Sequence, residues 1–311
     1  MLGSRARAAF PLSVLLCLVV GLFVTACQPS GGSSSTSGSG STVDAAKKAI
    51  QNTGSDTMLN VAQAWSEAYL KVKPGISVEI SGGGSGVGIK DLIQGTVHIA
   101  NCSRMIKSSE RTQAIQNTGK EPQEFIVGYD GIGIYVHRDN PLTEITLGQL
   151  ADIYKESGTT AKWSQLGVDS AKFCASDDIV RFSRQSNSGT YQYFRAAVLA
   201  KGDFKLGSND LHGSKDVVEA VGTTACGIGY SGMGYKTDHV SFLGVAQAAG
   251  EIPYQPTTEN VLNGNYAIAR PLLMYTLGEP TGEIKEYLDW IFSPAGQKIL
   301  EENGYVPLKS K

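Results

Sequence analysis

Residues 76–93 read Ile76-Ser77-Val78-Glu79-Ile80, then Ser81-Gly82-Gly83-Gly84-Ser85-Gly86, then Val87-Gly88-Ile89-Lys90-Asp91-Leu92-Ile93. The first five alternate apolar and polar, the period of a half-buried strand, while Ile89, Leu92 and Ile93 recur at helical spacing. A strand therefore runs through a glycine loop into a helix. Upstream, Leu59, Ala62, Trp65, Ala68 and Tyr69 share one face of a helix that starts near Thr57 and stops at Pro74-Gly75. Downstream, short apolar runs predict strands over 97–100, 125–129, 131–137, 179–182, 227–230 and 272–276. A helix is predicted over 283–292, and a last one opens on Ser293-Pro294-Ala295 and ends at Gly304. Strands alternating with helices predict an α/β architecture, and no internal repeat is visible.

The chain has 311 residues, 41% hydrophobic and 18% charged, enough to bury a sizeable core in about two domains. Its 29 acidic and 27 basic side chains offer no basic surface of the kind nucleic acid requires. The 37 glycines, about 12% against a usual ~7%, mark many positions where the backbone turns or something approaches closely.

Residues 1–26 carry Arg5 and Arg7, no acid, and an apolar run from Val14 to Val24, the layout of a secretory signal. That run is too short to span a bilayer, which takes ~20 residues. The segment ends Val24-Thr25-Ala26-Cys27, which resembles the lipobox of bacterial lipoproteins, so Cys27 is expected to carry the lipid. Gly31 to Thr42 is almost wholly Gly, Ser and Thr, so 27–43 reads as a flexible tether. Cleavage after residue 26 removes two of the 27 basic residues and no acid, leaving four more acids than bases. Net charge does not attract an anion to such a chain.

Three cysteines then remain in the body, Cys102, Cys174 and Cys226. No pair has metal spacing, and His98, His137, His212 and His239 are scattered, so no metal or cofactor site is expected. An exported protein accommodates one disulfide with a thiol left over, and spacing does not choose the pair.

Four loops share one grammar, a Gly/Ser/Thr cluster leading into a helix: Gly54-Ser55-Asp56-Thr57, Gly82 to Gly86, Asn101-Cys102-Ser103-Arg104, and Arg184-Gln185-Ser186-Asn187-Ser188-Gly189-Thr190. Helix N-termini present unpaired N–H groups and partial positive charge, and Ser and Thr add donors, so several such ends converging make an oxyanion site. Arg184 adds a fork suited to a tetrahedral oxyanion. Taken singly, each loop is also an ordinary N-cap. The glycine loop is not a P-loop, since Ile89 stands where Lys is required, and Val87 denies Ser85 a nucleophile elbow. Gly227-Ile228-Gly229-Tyr230-Ser231-Gly232 matches G-x-G-x-x-G with no convincing helix after it, and reads as turn glycines rather than a dinucleotide site.

These residues resemble the phosphate-binding lipoproteins of bacterial phosphate ABC transporters, the PstS-type members of the two-lobed periplasmic binding proteins. The resemblance covers roughly residues 50–308. It rests on the four loops, on Gly227-Ile228-Gly229-Tyr230, and on Phe292-Ser293-Pro294-Ala295-Gly296-Gln297 through Gly304-Tyr305-Val306-Pro307. Arg184 with Ser188-Gly189-Thr190 is its most specific element. It implies a type II two-lobed fold, each lobe a sheet flanked by helices with the ligand in the cleft. Lobe 1 would be 44–131 and 267–311, and lobe 2 would be 132–266.

The resemblance further implies a dehydrated phosphate held by Ser55, Thr57, the backbone at Met58, Ser85, Ser103, Arg184, Ser188, Gly189 and Thr190, with Arg104 in reach. Many family members place an acid in the third loop to accept the phosphate proton, but here it reads Asn101-Cys102-Ser103. Asp56 then either supplies the acceptor or only caps the first helix. His98, before the same loop, reads as a strand-end His. The implied protein is a monomeric, non-enzymatic receptor, anchored through Cys27 and facing the periplasm or cell exterior, that delivers phosphate to membrane permease subunits. Competing expectations are a receptor for sulfate or molybdate, a phosphoester-cleaving enzyme with Asp56 as the residue to suspect, and a surface lipoprotein of other role.

Overall fold

The computed structural model describes residues 48–309. The signal segment 1–26, Cys27 and the tether 27–43 lie outside the described residues. The strands are β1 (Lys48–Gly54), β2 (Ile76–Ser81), β3 (Ile99–Cys102), β4 (Pro122–His137), β5 (Glu144–Thr146), β6 (Val180–Arg184), β7 (Asn209–Leu211), β8 (Gly227–Gly232), β9 (Val240–Phe242), β10 (Gly244–Ala246) and β11 (Ala269–Leu277). The helices are α1 (Leu59–Val72), α2 (Ser85–Ile93), α3 (Ser108–Thr118), α4 (Leu147–Tyr154), α5 (Gly189–Ala197), α6 (Ser214–Thr223), α7 (Thr258–Leu262), α8 (Gly282–Phe292) and α9 (Pro294–Glu302).

One hydrogen-bonded path runs β2-β1-β3-β11-β4-β8-β6-β7, with β9 also on β4 and a separate β10-β5 pair. Its two halves share β4. Residues 122–131 of that strand pair with β11, and 132–136 pair with β8. The expected two strands over 125–129 and 131–137 are thus one, because no residue between them breaks the ladder: Asp130 faces Arg270 and Gly131 faces Ala269 in register.

In the first half β1 is parallel to both β2 and β3, and in the second β6 is parallel to both β7 and β8. Each half therefore has a point where the strand order reverses, and the crevice outside the carboxyl ends of such strands is where open α/β sheets bind ligands. The helices cover the sheet by their apolar stripes. Val61, Ala62, Trp65 and Tyr69 of α1 are buried, and Trp65 donates its indole N–H to the Gly296 carbonyl of α9 at 2.8 Å. A second core joins Ile132, Ile134 and Val136 of β4 to Ile153 and Tyr154 of α4, Phe194 of α5 and Tyr230 of β8. Cys174 is disulfide-bonded to Cys226, and Cys102 is free and buried.

Two expectations change. The strand expected over 227–230 is β8, which runs on to Gly232, but its glycines are not turn glycines, since β8 is buried at every position. Its glycines are there because a Cβ on Gly229 would lie 2.8 Å from both Val217 and Val221 of α6. The third loop is not a helix start either, since Asn101 and Cys102 end β3 and α3 opens only at Ser108, where the Glu110 carboxylate accepts from the Lys107 N–H at 2.9 Å.

Candidate oxyanion site

The carboxyl ends of β1, β2, β3, β6 and β7 meet at one buried point. Ser55, Asp56, Thr57, Ser85, Ser103, Arg184, Ser188, Thr190, Ser214 and Arg270 are all buried there. The turn after β1 is pinned from both sides: Tyr235 donates its hydroxyl to the Asp56 carbonyl at 2.6 Å, and Tyr305 donates to that of Thr57. Burial pushes both phenols up, so they stay donors.

At this turn capping gives way to clustering. Neither Ser55 nor Asp56 makes a side-chain cap bond; Ser55 Oγ instead donates to Ser103 Oγ at 2.9 Å. The Asp56 carboxylate accepts from the Gly83 N–H at 2.8 Å and from Arg184 Nη2 at 3.1 Å, so it ties the glycine loop to the opposite half. The Met58 N–H is used by the Ser55 carbonyl at 3.0 Å. Ser85 Oγ accepts from the Ser103 N–H at 3.0 Å. Ser188 does cap α5, accepting from the Thr190 and Tyr191 N–H groups. Gly189 brings that helix end against the serines, for a Cβ there would lie 2.3 Å from Ser85 Oγ and 2.6 Å from Ser103 Oγ.

Arg184 bridges several elements. Nε and Nη2 donate to the His212 carbonyl at 3.1 and 2.7 Å, and Nη1 donates to Ser214 Oγ at 2.7 Å. Burial lowers its pKa while the Asp56 charge opposes that, and the guanidinium stays charged. Thr57 Oγ1 lies 2.8 Å from Thr190 Oγ1, which joins the two halves through hydroxyls.

Arg104 stands apart from this cluster. Its guanidinium forks onto Glu110 of α3 at 2.8 and 2.7 Å and donates to the Met105 carbonyl. Burial works to raise the Glu110 carboxyl, but Arg104 and the Lys107 N–H hold it below its ordinary value. His98 is an exposed strand-end residue whose Nδ1 accepts from the Gln51 N–H at 2.9 Å.

Sequence reasoning missed Ser214, Asp130 and Arg270. Arg270 of β11 pairs with Asp130 of β4 at 2.8 Å, both side chains fully buried, and its Nη2 reaches Thr190 Oγ1 at 2.9 Å. The available signal was a charge inside each of two apolar runs, Tyr129-Asp130-Gly131-Ile132 and Ala269-Arg270-Pro271-Leu272, since a lone charge is rarely buried without a partner.

Chemically the cluster is a set of hydroxyl and guanidinium donors with Asp56 and Asp130 as its carboxylates, and it suits a dehydrated oxyanion. Among the described residues no group of three or more His, Cys, Asp or Glu could hold a metal ion. A cavity of about 1070 Å³ opens elsewhere, between Tyr129, Val261, Phe292 and Leu308, and shares no residue with the cluster.

The profile of the PBP superfamily domain matches residues 33–295. The phosphate-binding protein PstS of Pseudomonas aeruginosa is 32% identical over 272 residues, 84% of this chain and 84% of its own length. That of Staphylococcus saprophyticus is 28% identical over 297 residues, 93% of this chain and 87% of its own length. Among solved structures, a Clostridium perfringens protein assigned as a phosphate ABC transporter substrate-binding protein, with bound phosphate, is similar at a TM-score of 0.73 and 30% identity. The match covers 84% of this chain and all of that one. An ABC-type phosphate transport receptor from Vibrio cholerae matches at a TM-score of 0.66 and 25% identity over 83% of this chain. By this match of profile, sequence and fold, the chain belongs to the PBP superfamily, among its two-lobed PstS-type phosphate-binding proteins.

Proposed function

We propose that the chain captures inorganic phosphate between its lobes and delivers it to an ABC importer. The observation that carries this reading is the convergence of Ser55, Thr57, Ser85 and Ser103 from one half with Arg184, Ser188, Gly189 and Thr190 from the other, all buried at the carboxyl ends of the parallel strands. These groups form the phosphate cage, the Met58 N–H being taken by the Ser55 carbonyl at 3.0 Å, and Arg104 supports it by fixing α3. Hydrogen bonds to a charged group contribute roughly 1.5–3 kcal/mol each, so such a cage offsets dehydration and reaches sub-micromolar affinity without a positive net charge.

The lobes are 44–131 with 267–311, and 132–266. Their closure around the anion is the state a permease reads. Export by 1–26 and a lipid on Cys27 hold a monomer at the membrane on a tether of 27–43, facing the periplasm or cell exterior. Binding rather than turnover fits a site whose hydroxyls bond one another and whose carboxylates are both paired to arginines. Asp56 takes the proton of a protonated phosphate on a lone pair left free by its two bonds.

Isothermal titration of the mature, unlipidated protein stripped of anion, from about pH 5 to 8.5, tests this against the expected sub-micromolar affinity. Tight one-to-one phosphate binding that excess sulfate does not displace is the expected result. Absence of phosphate heat, or displacement by sulfate, would assign the cleft to another oxyanion.

A further inference from the structure

Arg270 is outside the anion-binding set proposed above, yet it touches three of its members. Its Nε and Nη2 donate to Asp130 Oδ2 at 3.1 and 2.8 Å, and its Nη1 donates to the Ser103 carbonyl at 2.9 Å. The remaining N–H of Nη2 is shared between Thr190 Oγ1 at 2.9 Å and Thr57 Oγ1 at 3.3 Å. Thr57 follows β1 and Thr190 opens α5, so one guanidinium reaches hydroxyls of both halves. It does so where β4 passes from one half to the other.

A buried ion pair by itself is weak support for a fold, because the desolvation of two charges offsets most of their attraction. The pair has a second consequence here. A hydroxyl carries one proton and two lone pairs, and a guanidinium only donates. With a lone pair of Thr190 or Thr57 taken by Arg270, the hydroxyl proton points away from the cation. The same holds at the other end of the row, where Arg184 Nη1 donates to Ser214 Oγ at 2.7 Å and Ser214 lies 3.4 Å from Thr57 Oγ1. The row Ser214, Thr57, Thr190 is bracketed by two cations, which turn its protons away from both ends, and the two bonds within the row leave one proton over to donate outward.

Resting on the phosphate-capture reading, we propose that Arg270 is a positioning residue for oxyanion capture: held by Asp130, it turns the protons of the bonded Thr57–Thr190 hydroxyl pair away from itself, so that the one proton their mutual bond leaves over is offered to the anion, and only when both lobes are in place. Asp130 holds it in turn, with Oδ2 on Arg270 and Oδ1 accepting from the Met233 N–H at 3.0 Å.

The test is a thermodynamic cycle on the stripped protein, with inorganic phosphate as the probe. Asp130→Asn with Arg270→Met deletes the pair without stranding a charge and keeps an acceptor for the Met233 N–H. Thr190→Val deletes one oriented hydroxyl. The pair variant and Thr190→Val are each expected to weaken phosphate binding about 30-fold, and their combination no more than about threefold further, because both remove the same donor. Losses that multiply would overturn the proposal, since a merely structural pair has no reason to act through Thr190. Should the pair variant lack a cooperative thermal transition, Arg270→Lys carries the cycle: it keeps a cation beside Asp130 but has no fork to reach the threonines, and the same non-additivity with Thr190→Val is expected. Wild-type protein that binds no phosphate would overturn the capture reading and this proposal with it. Wild-type binding with additive variants overturns this proposal alone.

Discussion

At the scale of single residues the site is a matter of where protons point. Asp56 is its informative member, because a carboxylate beside a bound dianion is repulsive unless a proton lies between them. Asp56→Asn keeps an acceptor for Gly83 or Arg184 and removes the charge. If Asp56 accepts the phosphate proton, sulfate should gain about tenfold or more relative to phosphate, measured by competition titration. If Asp56 only ties the glycine loop to Arg184, both anions should weaken together. Asp56 and Arg184 were legible in the sequence because they sit in Gly/Ser/Thr loops that announce a helix start. Arg270 and Asp130 were not: they sit inside strands, and only the antiparallel register of β11 on β4 places them opposite one another. Arg104 shows the converse, a charge in the right loop whose fork is taken by Glu110, six residues further along the chain.

At the scale of elements, the strand, glycine loop and helix of 76–93 were readable because period and punctuation agree, and β2 and α2 fall where the alternation and the helical spacing put them. The glycines of β8 were misread because what they accommodate, Val217 and Val221, is 12 and 8 residues from Gly229 along the chain and meets it only through packing. The loop glycines before α2 have an equally specific task. The Gly86 N–H donates to the Asn187 carbonyl at 3.0 Å, and a Cβ on Gly86 would lie 3.0 Å from that same oxygen. Asn187 Nδ2 answers by donating to the Gly83 carbonyl at 2.9 Å. Gly86→Ala separates closure from folding. In the first turn of α2 alanine favours the helix by up to ~1 kcal/mol, so the anion-free melting temperature should hold or rise. The closed contact with Asn187 is crowded, so phosphate should bind roughly tenfold more weakly. Calorimetry and thermal melts on one preparation decide: a fall in anion-free stability, or unchanged affinity, would sink this account of the loop.

At the scale of the molecule, one strand, β4, links halves that share a path of hydrogen bonds, and affinity and stability are governed by different parts of it. The cleft groups lie at the carboxyl ends of β1, β3 and β6, while Cys174 and Cys226 lie beyond the amino ends of β6 and β8, at the far side of the same sheet. Which of three cysteines would pair was illegible in the sequence, because it depends on β6 and β8 lying side by side in parallel. The bridge closes a loop with a sequence separation of 52, which holds β6, α5, β7 and α6 in one covalent ring. Constraining the unfolded chain in this way contributes about 2–4 kcal/mol. For a chain of this size that corresponds to roughly 4–8 °C in melting temperature. Cys174→Ser with Cys226→Ser should therefore melt lower by about that much, and wild-type protein under reductant should follow it. Phosphate affinity should change by less than about threefold, since no cleft group touches the bridge. A large loss of affinity at unchanged stability would show that the bridge shapes the cleft through α5 rather than restraining the unfolded chain, and would relocate its role from the second lobe's stability to the geometry of Ser188, Gly189 and Thr190.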